Sequence, residues 1–290
     1  MANIQQHVIS HISGEIYGVA GYYSENDSTQ HVVVATNDGT LYEIHWNRNI
    51  PPTPPQRLAQ FGGIHSLAGF YTSDDGFQHV IVFTEDGRLH ELYFKTPQEV
   101  NRRSPLFQLP TTATPNHVGM AGYYDSLDKY RNVTVGCADD TLYEVFWNAQ
   151  VAPSTGRTTQ FTLHDVAAIA GFFDPNGNSW NVFVAMKGGD VYDVESSLGG
   201  RDTRLLFTSS TRLKNVAAFV NTATQIRQVI LQDVNSQVAV YTYSPEQVRE
   251  APLVTLGNVV DIAAYFSEYD SMCHVILATT DGNIHEVYYN

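Results

Sequence analysis

A polar residue, an acid twelve positions later and an aromatic residue three positions after the acid recur along this sequence of 290 residues. The complete sets are His31, Glu43 and Trp46; His79, Glu91 and Phe94; Asn132, Glu144 and Trp147; and His274, Glu286 and Tyr289. Two further copies are incomplete: Asn181 and Asp193 are followed by Ser196, and Gln228 is followed by Val240 in place of the acid. The recurrence predicts several nearly equivalent sites.

Two interpretations of these sets remain open. An acid, an amide or imidazole, and an aromatic face together suit a pyranose, which has one apolar side and several hydroxyl groups. Alternatively, the side chains close a polar network at the edge of a repeated unit, because buried polar groups need hydrogen-bond partners. In that case the aromatic residue packs against the neighbouring unit and the set binds no ligand.

A longer sequence motif recurs six times and predicts the β-strands that carry these residues. Each copy is an apolar strand that contains two adjacent small residues: Ala20-Gly21, Ala68-Gly69, Ala121-Gly122, Ala170-Gly171, Ala217-Ala218 and Ala263-Ala264. Successive copies are 48, 53, 49, 47 and 46 residues apart, a period typical of the four-stranded blade of a β-propeller. Small residues suit first strands that crowd around a central axis.

The second and third strands of each unit are predicted to form a hairpin, and its loop length determines which side chains share a face. A two-residue loop would place His31 opposite Trp46 and send Glu43 to the other face. A three-residue loop that ends at Gly39, with this glycine in the left-handed conformation, places His31 opposite His45. In that register His31 and Glu43 share a face. The sequence Thr-Asn-Asp-Gly-Thr favours this second register, because it suits a type I turn followed by a bulge.

A fourth strand is predicted in the first five units, at residues 56–61, 105–109, 158–163, 204–208 and 252–256. The sequence stops directly after the third strand of the sixth unit, so we predict that residues 5–10 supply the missing strand and close the ring. The predicted fold class is all-β, a six-bladed β-propeller in a single domain over residues 1–290. Its blades are approximately residues 11–61, 62–109, 110–163, 164–209, 210–257, and 258–290 together with 1–10.

The repeated sets resemble those of the fucose-binding six-bladed propeller lectins of fungi and their bacterial relatives. The Glu-x-x-aromatic element of that family matches at Glu43, Glu91, Glu144 and Glu286, and the likeness in blade number and length spans the whole ring. The resemblance implies a sugar-binding pocket between neighbouring blades. Where the family has an arginine, this chain has His31, His79, Asn132, Asn181, Gln228 and His274. Since arginine offers a fixed fork of donors that His and Asn lack, the identity of the sugar stays open.

Three classes of function are consistent with these patterns. The first is a multivalent lectin whose partners are glycans or glycoproteins, and the second is a non-enzymatic scaffold for protein interactions. The third is an enzyme at the mouth of the central channel that uses the unrepeated residues His65, His117, His164 or Asp261. Several near-equivalent sites favour multivalent binding over a single active site.

Catalytic and metal-binding motifs are not recognisable in the sequence. The 11 histidines include no pair at zinc-ligand spacing on a predicted helix. Neither a nucleophile elbow nor a glycine-rich phosphate loop appears. We therefore expect no catalytic residues, no cofactor and no metal site.

Charge and hydropathy argue against several other partners. The formal net charge of -14 opposes binding to phosphate backbones, which requires clustered Lys and Arg. No apolar run is long enough to cross a bilayer, and the N-terminus lacks the basic start and apolar stretch of a signal peptide. We expect no nucleic-acid partner, no membrane insertion, and a protein that is cytoplasmic or released without a signal peptide. Cys137 and Cys273 lie in apolar strand patterns and are predicted to be buried thiols.

Overall fold

The computed structural model describes residues 4–110, 119–137, 141–160, 165–197, 200–244 and 247–290. These residues form 24 β-strands, which confirms the predicted all-β class. In chain order they are β1 (Gln5–His11), β2 (Ile16–Ser24), β3 (Thr29–Thr36), β4 (Thr40–Trp46), β5 (Gln56–Gln60), β6 (Ile64–Thr72), β7 (Phe77–Thr84), β8 (Arg88–Phe94), β9 (Asn101–Gln108), β10 (Met120–Asp125), β11 (Tyr130–Gly136), β12 (Thr141–Trp147), β13 (Ser154–Gln160), β14 (Val166–Asp174), β15 (Ser179–Met186), β16 (Asp190–Ser197), β17 (Gly200–Thr208), β18 (Leu213–Asn221), β19 (Ile226–Asp233), β20 (Gln237–Ser244), β21 (Gln247–Thr255), β22 (Val259–Ser267), β23 (Met272–Thr279) and β24 (Asn283–Tyr289). Across these ranges no helix has the length and apolar character needed to span a membrane.

The strands form six four-stranded antiparallel sheets, which are the blades of a six-bladed propeller. Blades 1 to 5 contain β2–β5, β6–β9, β10–β13, β14–β17 and β18–β21, and blade 6 has the strand order β1-β24-β23-β22. In the last blade, Gln5 lies opposite Tyr288 and His7 opposite Glu286. The predicted closure of the ring by the N-terminal strand is therefore confirmed.

The first strands of the blades meet at the centre of the ring, where little space remains for side chains. A Cβ atom added to Gly69 would lie 2.7 Å from Tyr22 Cδ1, and one added to Gly122 would lie 2.8 Å from Ala68 Cβ. Both contacts are too short for a real side chain, so the backbone approach requires glycine at these positions. The strands leave a narrow central cavity of about 260 Å³.

The hairpin between β3 and β4 has the predicted three-residue loop. Gly39 has a φ of +78°, and a Cβ atom there would lie 1.8 Å from the Phe61 carbonyl oxygen. His31 consequently lies opposite His45. The corresponding register is present in blades 2, 3, 4 and 6, so the polar residue and the acid of each set share a face.

Most outer strands begin earlier than the sequence predicts. β9 starts at Asn101 rather than 105, β17 at Gly200 rather than 204, and β21 at Gln247 rather than 252. The prediction relied on apolar residues, but an outer strand needs only backbone pairing on one edge and tolerates polar side chains facing solvent. Most of the added residues are polar, and Arg103 among them lies opposite Glu91 of the third strand.

Alternate residues of each strand face different neighbouring blades. Val32 of blade 1 packs in a cluster with residues of blade 6, whereas Val33 packs with residues of blade 2. His31 and Glu43 are in phase with Val33 and therefore face blade 2, while Trp46 belongs to the cluster with blade 6. The members of one sequence set consequently lie in two different grooves.

The two cysteines lie in separate hydrophobic clusters and are free thiols. Cys137 is 5% exposed and Cys273 is 2% exposed. Burial raises the pKa of the Cys273 thiol to about 11, so this group is neutral at physiological pH. The prediction of two buried thiols is confirmed.

Candidate functional site

The imidazole and the acid of a set are hydrogen-bonded in three blades. The Nδ1 to Oε1 distances are 2.8 Å for His31 and Glu43, 2.8 Å for His79 and Glu91, and 2.7 Å for His274 and Glu286. None of these six residues is more than 3% exposed. Their burial means that the remaining polar atoms also need partners within the protein.

The second nitrogen of each imidazole contacts a polar side chain in, or next to, the turn between the first and second strands. Nε2 lies 2.5 Å from Thr29 Oγ1 in blade 1, 3.1 Å from Thr72 Oγ1 in blade 2 and 3.3 Å from Asp270 Oδ1 in blade 6. An aromatic ring of the first strand stacks on each imidazole, with ring centroids 5.2 to 5.3 Å apart. Contacts at both nitrogens and on one face therefore fix the orientation of each ring.

Charge interactions shift the pKa of several of these groups. Burial disfavours a charge on His274, but hydrogen bonds to Asp270 and Glu286 outweigh it and raise the pKa of His274 above its usual value. The same balance, with hydrogen bonds to Asp27 and Glu43, raises the pKa of His31. Burial also opposes the charge on Glu286, yet the hydrogen bonds from His274 and His7 lower its pKa.

The aromatic residue of each set reaches the preceding blade rather than its own acid. Trp147 Nε1 of blade 3 donates a hydrogen bond to Glu91 Oε1 of blade 2 at 3.3 Å. The Tyr289 hydroxyl of blade 6 donates to Gln228 Oε1 of blade 5 at 2.5 Å. Phe94 of blade 2 packs in the hydrophobic cluster that it shares with blade 1. Each groove thus combines the polar pair of one blade with the aromatic residue of the next.

Blades 3 and 4 have amides in place of the imidazole. Asn132 Nδ2 donates to the Tyr130 carbonyl oxygen at 3.2 Å, and Glu144 accepts a hydrogen bond from the Tyr123 hydroxyl at 3.2 Å. In blade 4, Asn181 Nδ2 donates to Ser179 Oγ at 3.2 Å. Asp193 and Ser196 are also buried, and the acid position of blade 5 is occupied by buried Val240. These grooves contain the predicted residues, but their polar contacts differ from those of blades 1, 2 and 6.

Cations on the outer strands pair with the acids, and the sequence analysis did not identify them. Glu91 Oε2 lies 3.2 Å from Arg103 Nη1, and Glu286 Oε2 lies 3.1 Å from His7 Nε2. In blade 4 the partner of Asp193 is Arg204, at 3.0 Å. Basic residues in these outer strands were the available signal, but Arg103 precedes the predicted start of β9, and the register that pairs His7 and Arg204 with the acids was not predicted. Blade 1 is different, because Gln56 occupies the position opposite Glu43.

The groove between blades 6 and 1 contains a pocket of about 620 Å³. From blade 6 it is lined by His7, Asp270, Met272, His274, Glu286 and Tyr288, and from blade 1 by Gln30, Trp46 and residues 47–52. Three residues of the predicted sets, His274, Glu286 and Trp46, therefore meet in one cavity. The pocket is lined by hydrogen-bond acceptors, hydrogen-bond donors and apolar side chains. This composition is typical of a small-molecule site.

The loop over residues 47–52 joins β4 to β5 of blade 1 and contacts blade 6 beside this pocket. Asn47 Oδ1 accepts hydrogen bonds from the backbone N–H groups of Asn49 and Ile50, at 2.8 and 2.9 Å. Asn49 Nδ2 donates to the Tyr269 hydroxyl of blade 6 at 3.0 Å. Blade 3 has a corresponding turn, in which Asn148 Oδ1 accepts from the N–H groups of Gln150 and Val151. The sequence analysis did not assign the loop 47–52 to a site, although its prolines set it apart.

The central cavity is lined by backbone and small side chains, with His65 and Asp261 among its polar residues. Asp261 Oδ2 accepts a hydrogen bond from the Val19 N–H at 2.9 Å, and Oδ1 accepts one from the Ile262 N–H at 2.9 Å. Burial raises the pKa of Asp261 to about 6. Asp261 thus links the first strands of blades 6 and 1. His117 and His164, the other candidates for a channel-mouth site, lie outside the described residues.

These features define the molecule as a six-bladed β-propeller with polar grooves between blades. Solved structures similar to it include AofleA from Arthrobotrys oligospora, with 12% identity, a TM-score of 0.75, and coverage of 100% of this chain and 86% of that one. The SapL1 lectin in complex with α-methyl fucoside has 14% identity, a TM-score of 0.74, and coverage of 98% and 96%. The fungal lectin of Aleuria aurantia has 11% identity, a TM-score of 0.70, and coverage of 97% and 93%. No protein-family model matches the sequence, and no curated protein does. At these identities the likeness establishes a shared fold.

The pair formed by His7 and Glu286 is expected to make stability depend on pH. The hydrogen bond to Glu286 raises the pKa of His7 above its unfolded value, so the stabilisation is complete below about pH 6.5 and is lost as pH rises through the raised pKa. His7→Gln should therefore lower the Tm more at about pH 6 than at about pH 9. Because the His7 side chain is 47% exposed, its pairing with Glu286 should contribute at most about 1 kcal/mol to the free energy of unfolding. Equal losses at both pH values would contradict this pairing.

Proposed function

We propose that this protein is a carbohydrate-binding lectin with sites between its blades, and that the groove between blades 6 and 1 is the principal site. The observation that carries the proposal is the pocket of about 620 Å³ that joins Trp46 of blade 1 to His7 and Glu286 of blade 6. Its size lies in the range of small-molecule sites. The shared fold with a lectin solved with α-methyl fucoside supports a sugar as the ligand.

The lining of this pocket suits the two sides of a pyranose. Glu286 accepts hydrogen bonds from His274 and His7, and its remaining lone pairs can accept from sugar hydroxyls. The partly exposed ring of His7 offers a polar edge on the same side. Ile50, which is 46% exposed, and the adjacent prolines give an apolar surface for the C–H face of the sugar.

Equivalent grooves carry the other predicted residues, and we include them in the proposal as weaker sites. Glu43, Glu91 and Glu144 are their acids, but the rings of Phe94 and Trp147 are fully buried, so a sugar finds less aromatic surface there. Linked weak sites raise the avidity for a glycan-coated surface by about 10²–10⁴ without any new contact. A ring of such grooves therefore suits binding to a surface that displays many glycans.

A glycan array followed by calorimetry with the best glycan tests the principal site. We expect the double variant His7→Gln/Glu286→Gln to lose at least about tenfold in affinity, because hydrogen bonds to charged groups contribute about 1.5–3 kcal/mol. His11→Gln is the matched control, since His11 lies on the same strand but does not line the pocket. Equal affinity of the double variant and the control would reject this groove as the principal site.

The quadruple replacement of Glu43, Glu91, Glu144 and Glu286 by Gln tests the ring as a whole. We expect it to abolish binding to a glycan-coated surface while the far-UV circular dichroism spectrum is retained. Unfolding of this variant would show that the four acids are structural. A wild-type protein that binds no glycan on the array would reject the lectin function and favour a scaffold for protein interactions.

A further inference from the structure

Blade 1 differs from blades 2 and 6 at the residue that lies opposite the histidine of the set. This position is His45 in blade 1, whereas it is Tyr93 in blade 2 and Tyr288 in blade 6. His45 Nδ1 lies 3.9 Å from Glu43 Oε2. Both atoms are buried and have no hydrogen-bond partner among the residues that the structure describes.

The same groove lacks the cation that accompanies the acid in the other two blades. The second carboxylate oxygen lies within 3.2 Å of Arg103 in blade 2 and within 3.1 Å of His7 in blade 6. In blade 1 the opposing residue of the outer strand is Gln56, which carries no charge. Glu43 is 0% exposed, so its unpaired oxygen carries the full cost of desolvation unless a cation approaches it.

We propose that blade 1 binds a divalent transition-metal ion of the zinc type through His31, Glu43 and His45. One ligand atom from each residue lies within 4.8 Å of the others. Tetrahedral zinc with bonds of about 2.0–2.1 Å places its ligand atoms about 3.3 Å apart. The carboxylate of Glu43 contacts both imidazoles, with its Oε1 2.8 Å from His31 Nδ1 and its Oε2 3.9 Å from His45 Nδ1. Binding of an ion requires side-chain rotations that bring one ligand atom of each residue to the tetrahedral spacing.

The donor set and its surroundings suit this ion. Two imidazoles and one carboxylate are typical zinc ligands and leave a fourth position for water. Thr29 Oγ1 lies 2.5 Å from His31 Nε2 and donates in turn to Asp27, the kind of outer contact that orients a metal-bound imidazole. The His45 side chain is 24% exposed and offers a route from solvent.

This site and the proposed sugar pocket lie in different grooves and are tested separately. His31, Glu43 and His45 face blade 2, whereas the pocket of the lectin proposal lies between blades 6 and 1. Of the three proposed ligands, only Glu43 is also changed in the quadruple glycan-binding variant, because it is the acid of a weaker proposed sugar groove as well. Metal binding can thus be present or absent whatever the outcome on the glycan array.

Titration of the metal-stripped full-length protein with Zn²⁺ by calorimetry tests the proposal. We expect one equivalent to bind with a Kd below about 1 µM and to raise the Tm until that equivalent is reached. His45→Tyr installs the residue found in blades 2 and 6, and it should weaken Zn²⁺ binding at least about tenfold. His11→Gln, which removes an exposed histidine instead, should bind like the wild type.

Two further measurements separate loss of the site from loss of the fold. Co²⁺ in place of Zn²⁺ should give a visible absorption band in the wild type, and this band should be absent in His45→Tyr and in His45→Gln. Without metal, the Tm of at least one of these variants should stay close to that of the wild type. The absence of a stoichiometric metal in the wild type would overturn the proposal. So would a Zn²⁺ affinity in both His45 variants that equals that of the wild type.

Discussion

A chain that lacks residues 1–12 is expected to melt about 10 °C or more below the intact protein. The deletion removes β1, which pairs with the outer edge of β24 in blade 6. It also removes Ile9 and Ile12, which are 8% and 2% exposed within the cluster between blades 6 and 1. Burial of each side chain contributes about 1.5–3 kcal/mol, and the deletion leaves the outer edge of β24 unpaired.

Calorimetry on two truncated chains measures this effect. Removal of residues 1–4 alone serves as the control, because it leaves β1 intact and Ile4 is 40% exposed. A synthetic peptide of residues 1–12 should restore part of the lost Tm when added to the longer truncation. An unchanged melting curve for that truncation would contradict closure of the ring by β1.

Trp147→Ala is expected to lower the free energy of unfolding by about 3–5 kcal/mol, the usual cost of removing a large buried aromatic side chain. The Trp147 ring is 0% exposed and packs in the cluster shared by blades 2 and 3. Its Nε1 also donates a hydrogen bond to Glu91, so the variant leaves a cavity and takes a donor from a buried carboxylate.

Urea denaturation of Trp147→Ala and Trp147→Phe separates these two contributions. The phenylalanine variant keeps most of the packing but lacks the donor, so it should lose about 1–3 kcal/mol. A loss below about 1 kcal/mol for Trp147→Ala would show that the ring is not packed between the blades. Trp46 packs in the cluster between blades 6 and 1 and lines the pocket there, so its replacement should affect both stability and glycan binding.

Local patterns in the sequence were sufficient to predict the architecture. The six copies of the small-residue pair predicted six blades because close approach at the axis excludes larger side chains. The turn sequence before Thr40 predicted the register of the hairpin, and this register determines that His31 and Glu43 share a face. These predictions succeed because each depends on residues close together in the chain, where backbone geometry leaves few alternatives.

The composition of each groove could not be predicted in the same way. Side chains on one strand alternate between two neighbouring blades. Trp46 therefore lines a pocket with Glu286 and not with Glu43 of its own set. Arg103 and His7 lie on outer strands whose polar starts carry no periodic signal, and their pairing with the acids depends on strand register. The pocket between blades 6 and 1 also requires the loop 47–52 and the N-terminal strand. These contacts join residues up to hundreds of positions apart, so they arise only from the packing of closed blades around the ring.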